Sequence, residues 1–339
     1  MDRPEGWGWS RREFLGGLAL AGTAGLIGVR PVSAAAVPPP ETTKLRLART
    51  TSICQAPQYI VEALFEAEGF TDVQYVGDPA VADRTLVSRD AQIGMLFAGP
   101  LLLRLDEGAP LVMLSGGHVG CLELFGNEPI RSIRDLKGRR VAVTALGSAG
   151  HVFLSIMLAH VGLDPRKDVT TIVTNSLPDA VRSFEAKRVD AYIAVPPSGQ
   201  ELRAKKIGHV VVNSAVDRPW SQYFCCVVVG HREFVQKNPV ATKRALRAIL
   251  KGADMCALEP DRAARSLVSK GFTQRYDYAL QTMKELPYGK WREYDPEDTV
   301  RFYALRLHEV GMIKSTPQKI LAQGTDWRFL NELKKELKG

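Results

Sequence analysis

Short apolar runs rich in β-branched residues alternate with segments of helical period along the first two thirds of the chain. Runs such as Lys44–Thr50, Gln92–Phe97 and Arg139–Thr144 have the length and composition of strands. The segments between them repeat apolar residues at steps of three and four, as amphipathic helices do. This alternation predicts βαβ units and mainly parallel sheets, so the predicted fold class is α/β.

The order of these elements repeats once, which predicts two lobes of similar topology rather than one long sheet. In both halves Asp-Ala follows the end of a helix and a strand then runs to a proline, at Asp90–Pro100 and at Asp190–Pro196. A buried strand, Gln222–Val229, is predicted to leave the second lobe, and the chain beyond it has mostly helical patterns. The aromatic and basic loop Pro287–Tyr294 is interpreted as surface.

The segment Gly138–His151 is the clearest strand–turn–helix unit. Its turn is made of small residues, and Ser148 has the right type and position to cap the following helix. Unpaired N–H groups and the positive end of the helix dipole then lie at the carboxyl edge of the strand, where they suit anionic or polar ligand groups. Ser148 either caps its helix only or also contacts a ligand. The polar turn Thr51–Gln55 occupies the equivalent place after the first strand.

Residues 1–36 contain three signal regions in the correct order. Arg11 and Arg12 lie in a twin-arginine pattern, and the glycine-rich apolar stretch Gly16–Val29 follows. That stretch is 14 residues long, too short to span a membrane. Small residues offer cleavage near Ala34–Ala36. The sequence therefore predicts a cleaved twin-arginine signal peptide, a linker at residues 37–43 and a periplasmic protein.

Composition narrows the choice of partners. The net charge of +8 is spread thinly, with no basic stripe interleaved with aromatic residues, so no nucleic-acid partner is predicted. Five cysteines are odd in number and too few for a disulfide scaffold. Cys54 with Cys121 is the candidate bridge. The neighbours Cys225 and Cys226 are expected to face opposite sides of a strand and to pack as small apolar residues.

Several stretches carry a family resemblance, among them Ala56–Tyr59, Arg89–Gly94, Ser132–Arg139 and Gly162–Pro165. They resemble the periplasmic solute-binding proteins of ABC importers in the nitrate, sulfonate, taurine and thiamine-precursor group. The resemblance runs from about Lys44 to Gly311 and is specific for the family rather than for the ligand. It implies a type II periplasmic-binding-protein-like fold, in which two α/β lobes are joined by two hinge crossings and the ligand lies in the cleft.

The resemblance also implies a domain division and partners. Lobe one is predicted at residues 44–130 plus 223–339 and lobe two at residues 131–222. The implied partners are a small-molecule ligand and an ABC permease with its ATPase, and proteins of this kind are usually monomers. The loops that reach the cleft give the predicted ligand-binding residues: Ser52, Cys54, Gln55, Phe97, Ala98, Gly117, His118, Thr144, Gly147, Ser148, His151, Pro196 and Trp220.

Each of these residues has an alternative interpretation. Hydroxyl and backbone N–H groups at Ser52 and Ser148 are predicted to hold a polar or anionic end of the ligand, with Phe97 and Trp220 stacking on its body. Trp220 is equally compatible with plugging a hinge, and Cys54 with packing. His118 is equally compatible with a hydrogen-bonded loop residue, and His151 with solvent exposure.

Ligand charge and catalysis are the last questions that the sequence addresses. Many members of the resembled family carry an acidic residue where this chain has Val195, so a cationic ligand is disfavoured and an anionic or heteroaromatic one is expected. The chain lacks G-x-S-x-G, H-E-x-x-H, P-loop and G-x-G-x-x-G motifs. His118 and Cys121 have metal-ligand spacing but no second pair, so neither a metal nor a cofactor is predicted. The alternatives are a biosynthetic enzyme on the same fold, such as a pyrimidine-precursor synthase, and a binding protein that uses the same pocket for signalling.

Overall fold

The structure is a computed structural model that describes residues 38–174 and 176–337. The predicted signal peptide lies outside the described residues. Ten strands within them form two five-stranded sheets. The first sheet contains β1 (Lys44–Ala48), β2 (Asp72–Val76), β3 (Ile93–Phe97), β4 (Leu111–Val119) and β10 (Phe224–His231). The second contains β5 (Glu123–Gly126), β6 (Arg140–Val143), β7 (Thr170–Val173), β8 (Ala191–Ala194) and β9 (His209–Asn213).

The two sheets have the same strand order. It is β2-β1-β3-β10-β4 in the first and β7-β6-β8-β5-β9 in the second. In each sheet the fourth strand in this order, β10 or β5, runs antiparallel to its neighbours because it arrives from the other sheet. The α/β prediction with two similar lobes is therefore confirmed, with mixed sheets that are parallel in their first three strands.

The chain passes between the sheets earlier than predicted. Because β5 belongs to the second sheet, the first crossing is at residues 120–122, and the predicted boundary at Ile130 is wrong by one short strand. The return crossing lies between β9 and β10, at residues 214–223. The Ser214 hydroxyl accepts hydrogen bonds from the backbone N–H groups of Cys121 (3.0 Å) and Leu122 (2.8 Å). The two crossings are thus joined directly.

Helices cover both sheets. Those of the first half are α1 (Glu62–Ala67), α2 (Ala82–Val87), α3 (Ala98–Asp106), α4 (Ala149–His160), α5 (Leu177–Glu185) and α6 (Ser198–Ala204). After β10 come α7 (Arg232–Lys237), α8 (Pro239–Leu258), α9 (Pro260–Ser269), α10 (Tyr276–Glu285), α11 (Pro296–Glu309), α12 (Pro317–Gly324) and α13 (Arg328–Glu336). No helix among the described residues is long and apolar enough to cross a membrane.

Two segments are packed more closely than their sequences indicate. Tyr288 and Trp291 are fully buried, so the interpretation of Pro287–Tyr294 as a surface loop is wrong for these two residues. Their polar atoms are satisfied inside the protein, because Tyr288 Oη donates to the Cys54 carbonyl (2.9 Å) and Trp291 Nε1 donates to Asp254 (3.1 Å). The linker prediction covers Glu41, whose carboxylate accepts hydrogen bonds from two N–H groups at the start of α8.

Candidate functional site

The carboxyl ends of β1 and β6 lead into turns on the two sides of one cleft. After β6, the Ser148 hydroxyl accepts a hydrogen bond from the His151 N–H (3.4 Å), which confirms its predicted capping role. After β1, the equivalent Ser52 makes no such cap. Its hydroxyl instead donates to the carbonyl of Pro196 in the second lobe (3.1 Å). Ser52 therefore joins the lobes directly.

Helices α3 and α4 face each other across this cleft with little space between them. A Cβ added at Gly99 would lie only 2.5 Å from Cγ1 of Val152, so the helices approach more closely there than any larger residue allows. Beside this contact is an apolar cavity of about 10 Å³, lined in part by Phe97 and Phe153. That volume suits about one water molecule. The lobes are thus closed on each other.

A cluster of buried thiols and one imidazole occupies the first-lobe wall of the cleft. Cys54, His118, Cys121 and Cys226 each offer a ligand atom within 4.8 Å of the others. Cys54 Sγ lies 3.8 Å from Cys226 Sγ, and all four residues are at most 4% exposed. We call these four residues the thiol–imidazole cluster. Sequence analysis found the spacing of His118 and Cys121 but no second pair, because Cys54 and Cys226 come from distant segments of the chain.

The cysteine predictions need two corrections. The structure leaves all five cysteines free, so the Cys54–Cys121 bridge is not formed. Cys121 Sγ instead lies closest to Cys225 Sγ, at 2.7 Å. Cys225 and Cys226 both approach Cys121 rather than separating onto opposite faces. The β10–β4 pairing shifts register around Cys226, which breaks the regular alternation of side chains.

Electrostatics couple Cys54 to His118. Burial opposes ionisation of the Cys54 thiol, but hydrogen bonds from Cys121 and Cys226 and the charge of His118 outweigh it and hold its pKa well below the usual range. Burial likewise opposes charging of His118, but the neighbouring Cys54 thiolate raises the His118 pKa. Each group therefore favours the charged form of the other.

In the second lobe the equivalent position holds a carboxylate. Cys226 pairs with Phe97, the last residue of β3, and Glu123 pairs with Ala194, the last residue of β8. Glu123 is 6% exposed and forms an ion pair with Arg203. Burial raises the pKa of Glu123 to about 7, although the Arg203 charge opposes this shift. Arg203 also pairs with Glu285 of α10 in the first lobe.

The structure brings most of the predicted ligand-binding residues to the cleft. Those on the first-lobe side are Ser52, Cys54, Gln55, Phe97, Ala98, Gly117 and His118, of which all but Phe97 are buried. On the other side are Thr144, Gly147, Ser148 and His151 in one turn, with Pro196 beyond β8. A Cβ added at Gly147 would lie 3.5 Å from Leu103, so this turn reaches the first lobe. Contact of these residues with a solute stays a prediction.

Trp220 stands apart from this group. Its ring packs edge-on against Phe153 (5.3 Å between centroids), His160 (5.2 Å) and Phe302 (6.1 Å). It does not line the apolar cavity, so the packing alternative accounts for its position. A larger groove of about 660 Å³ lies beside the return crossing, between Tyr223 and residues 293–306. Sequence analysis did not indicate this groove. Its residues Tyr223 and Phe302 are far apart in the sequence and stack on each other only in the folded chain.

Solved structures of other proteins have the same two-lobed architecture. The periplasmic nitrate-binding protein NrtA from Synechocystis PCC 6803 is similar with a TM-score of 0.74 and 15% identity, over 89% of this chain and 90% of that one. The chain has the periplasmic-binding-protein fold. Residues 125–270 also match the model of the NMT1-like family. The fold that the family resemblance implied is therefore confirmed.

Two other structures with the periplasmic-binding-protein fold show its range. The alkanesulfonate-binding protein SsuA from Xanthomonas axonopodis pv. citri, bound to MOPS, has a TM-score of 0.68 and 17% identity over 81% of this chain and 96% of that one. A mutant of DSZB in complex with biphenyl-2-sulfinic acid has a TM-score of 0.61 and 17% identity over 86% and 99%. No curated protein matches the chain by sequence. At these identities the likeness establishes the fold.

Proposed function

We propose that this protein is an extracytoplasmic solute receptor that captures a small ligand between its lobes and delivers it to an ABC permease with its ATPase. The observation that carries the proposal is the pair of equivalent turns, after β1 and β6, that meet at one cleft and touch through Ser52 and Pro196. Ligands of open α/β sheets bind beyond the carboxyl ends of the strands, where these turns lie.

The ligand class follows from the groups that surround the cleft. Helices α3 and α4 both begin there, so two sets of unpaired N–H groups and two positive dipole ends are available. Val195 places no charge beside them, which favours an anionic or heteroaromatic solute such as a sulfonate or carboxylate. The solved relatives named above bind nitrate and an alkanesulfonate, which supports the same class.

Capture requires the lobes to open first. The apolar cavity has room for about one water molecule, so a sulfonate or aromatic acid enters only after α3 and α4 separate. Hinge closure over the solute then creates the surface that a permease recognises. A twin-arginine signal with cleavage near Ala34–Ala36 would place the receptor in the periplasm. We propose that it acts there as a monomer, as proteins of this kind usually do.

A ligand screen tests this function. The purified protein is heated with sulfonates, aromatic acids, nitrate, pyrimidines and flavins, and each hit is measured by calorimetry. We expect one class to raise the melting temperature and to bind at one site per chain. Ser148→Ala should weaken binding by about tenfold, equal to about 1.4 kcal/mol. Ser176→Ala, which removes a helix cap of the same chemistry at α5, should leave binding unchanged.

The biosynthetic-enzyme alternative is separated by the same samples. Each compound is incubated with the protein and followed by mass spectrometry. A receptor returns the compound intact, whereas turnover without stable binding would replace the receptor proposal with the enzyme. Equal loss of binding in both serine variants would remove Ser148 from the site.

A further inference from the structure

The thiol–imidazole cluster has the size of a tetrahedral metal site. Zinc–thiolate bonds of about 2.3 Å place the sulfur atoms of a tetrahedral site roughly 3.8 Å apart. Cys54 Sγ and Cys226 Sγ are separated by 3.8 Å, and the whole set of ligand atoms lies within 4.8 Å. Three cysteines and one histidine therefore have a spacing that suits a four-coordinate zinc site.

The histidine has the hydrogen bonding of a metal ligand. His118 Nδ1 faces the carbonyls of Val119 (3.3 Å) and Gly120 (3.2 Å), and because carbonyls only accept, Nδ1 carries the proton. In the neutral imidazole that a metal binds, the lone pair is then on Nε2, which is buried without a hydrogen-bond partner. Metal-ligating histidines commonly donate their other ring N–H to a backbone carbonyl, which fixes the tautomer and orients the ring.

The cluster is also costly without a cation. All four side chains are at least 96% buried, and an unsatisfied buried nitrogen costs about 1–3 kcal/mol. In the second lobe the buried carboxylate of Glu123 is compensated by the positive charge of Arg203. In the described part of the chain, no lysine or arginine hydrogen-bonds to the residues of the thiol–imidazole cluster. A divalent cation would satisfy the three sulfur atoms and the imidazole together.

We propose that Cys54, His118, Cys121 and Cys226 bind one zinc ion. Thiolate and imidazole together suit zinc, and four protein ligands make a closed site, which is the structural rather than the catalytic type. The ion would tie Cys121, at the first hinge crossing, to the turn after β1 and to β10. This role goes beyond solute capture and does not depend on it.

Cobalt(II) substitution and metal analysis test the site. The protein is purified under reducing conditions, stripped with a chelator and titrated with Co²⁺ and then Zn²⁺. We expect one equivalent of Co²⁺ to give the intense visible bands of a tetrahedral ion and a thiolate charge-transfer band, both abolished by Zn²⁺. X-ray absorption of the zinc form should show three sulfur atoms at about 2.3 Å and one nitrogen at about 2.0 Å.

Matched variants identify the ligands. Changes to groups behind a metal ligand cost about 10–100-fold in affinity, so Cys54→Ser and His118→Ala should cost at least about 100-fold. Cys256→Ser changes a buried cysteine of α8 outside the cluster and should leave zinc affinity unchanged. Cys225→Ser should also retain one zinc, because Cys225 is not among the four ligands.

Folding is monitored separately. Circular dichroism of each metal-free variant identifies any that fail to fold, and for those the absorption spectrum of the wild-type zinc form decides the ligand set. A shell of oxygen and nitrogen alone, unchanged affinity in Cys54→Ser, or a tighter site for copper(I) than for zinc in the stripped protein would overturn the assignment. So would a Cys121–Cys225 disulfide in protein that still binds zinc at full affinity.

Discussion

The two lobes share a strand order but have chemically different side chains at one equivalent position. The antiparallel strand of each sheet places a polar group beside the end of the third strand, Cys226 in the first lobe and Glu123 in the second. Glu123 is compensated by Arg203 within its lobe. Cys226 has other thiols, the imidazole of His118 and the side-chain amide of Gln55 around it, and no charged partner comparable to Arg203 among them. One topology therefore builds a charge-paired wall on one side of the cleft and a metal-ligand-rich wall on the other.

This difference teaches which contacts can change when the lobes move. Arg203 also reaches Glu285 of the first lobe, so the second-lobe pair takes part in closure. The thiol–imidazole cluster makes its contacts within the first lobe and its crossing, and it can persist in the open state. The predictions below test each side of this comparison, from the largest expected effect to the smallest.

Arg203→Met should have the largest effect on stability. It leaves Glu123 buried without its cation, and breaking a buried pair in this way costs about 3–5 kcal/mol. Arg203 is one-quarter exposed, so we expect the lower limit, about 3 kcal/mol, in the free energy of urea unfolding at pH 8. Arg182→Met, which removes an exposed ion pair on α5, is the control and should cost under about 1 kcal/mol. Equal losses of stability in the two variants would show that the buried Glu123–Arg203 pair contributes no more than an exposed ion pair.

Gly99→Ala should press the lobes apart. The added Cβ would lie 2.5 Å from Val152 Cγ1, and such overpacking costs about 1–3 kcal/mol. We expect a larger radius of gyration in X-ray scattering and a lower melting temperature. Val152→Ala in the same chain should restore both. Gly289→Ala, where an added Cβ meets no atom within 4 Å, should change neither.

The pH dependence of stability should report on Glu123. Its pKa is raised in the folded protein to about 7, so the folded state holds this proton more tightly than the unfolded chain does. The stability from this group is full below the unfolded pKa, near 4, and is lost as the pH rises through 7. We expect a fall of up to about 3 kcal/mol over that range, measured by urea unfolding. A Glu123→Gln chain with the same slope would contradict this origin.

Ser148→Ala should have the smallest effect on stability. Loss of one helix cap costs about 0.5–1 kcal/mol, so the melting temperature should fall only slightly. Thr316→Ala removes a cap of the same geometry at α12 and should cost as much. A clearly larger loss at Ser148 would mean that this turn also stabilises the contact between the lobes.

The fold could be predicted from the sequence because its signals are local. Strands β1, β3 and β6 are apolar runs of the right length, and helices α8, α9, α11 and α12 begin with proline. Strand β5 could not be predicted in the same way. It has four residues and begins with Glu123, and its place between β8 and β9 depends on long-range pairing.

The candidate site was predictable only in part. Ser148 and Ser52 follow from turn chemistry at strand ends. The thiol–imidazole cluster does not, because Cys54 and Cys226 are 172 positions apart and meet only when β10 inserts between β3 and β4. A motif search reads spacing along the chain, and here the chemistry depends on strand order instead. A cysteine or histidine at several strand ends is the signal that indicates such a grouping.

The hydrogen bonds between Ser214 of the return crossing and the first crossing bear on how this molecule can bend. Because the Ser214 hydroxyl holds Cys121 and Leu122 beside the return crossing, we expect the two crossings to move together when the lobes rotate. We therefore expect rotation about one axis near Ser214, in which the mouth of the cleft moves far while atoms close to the axis move little.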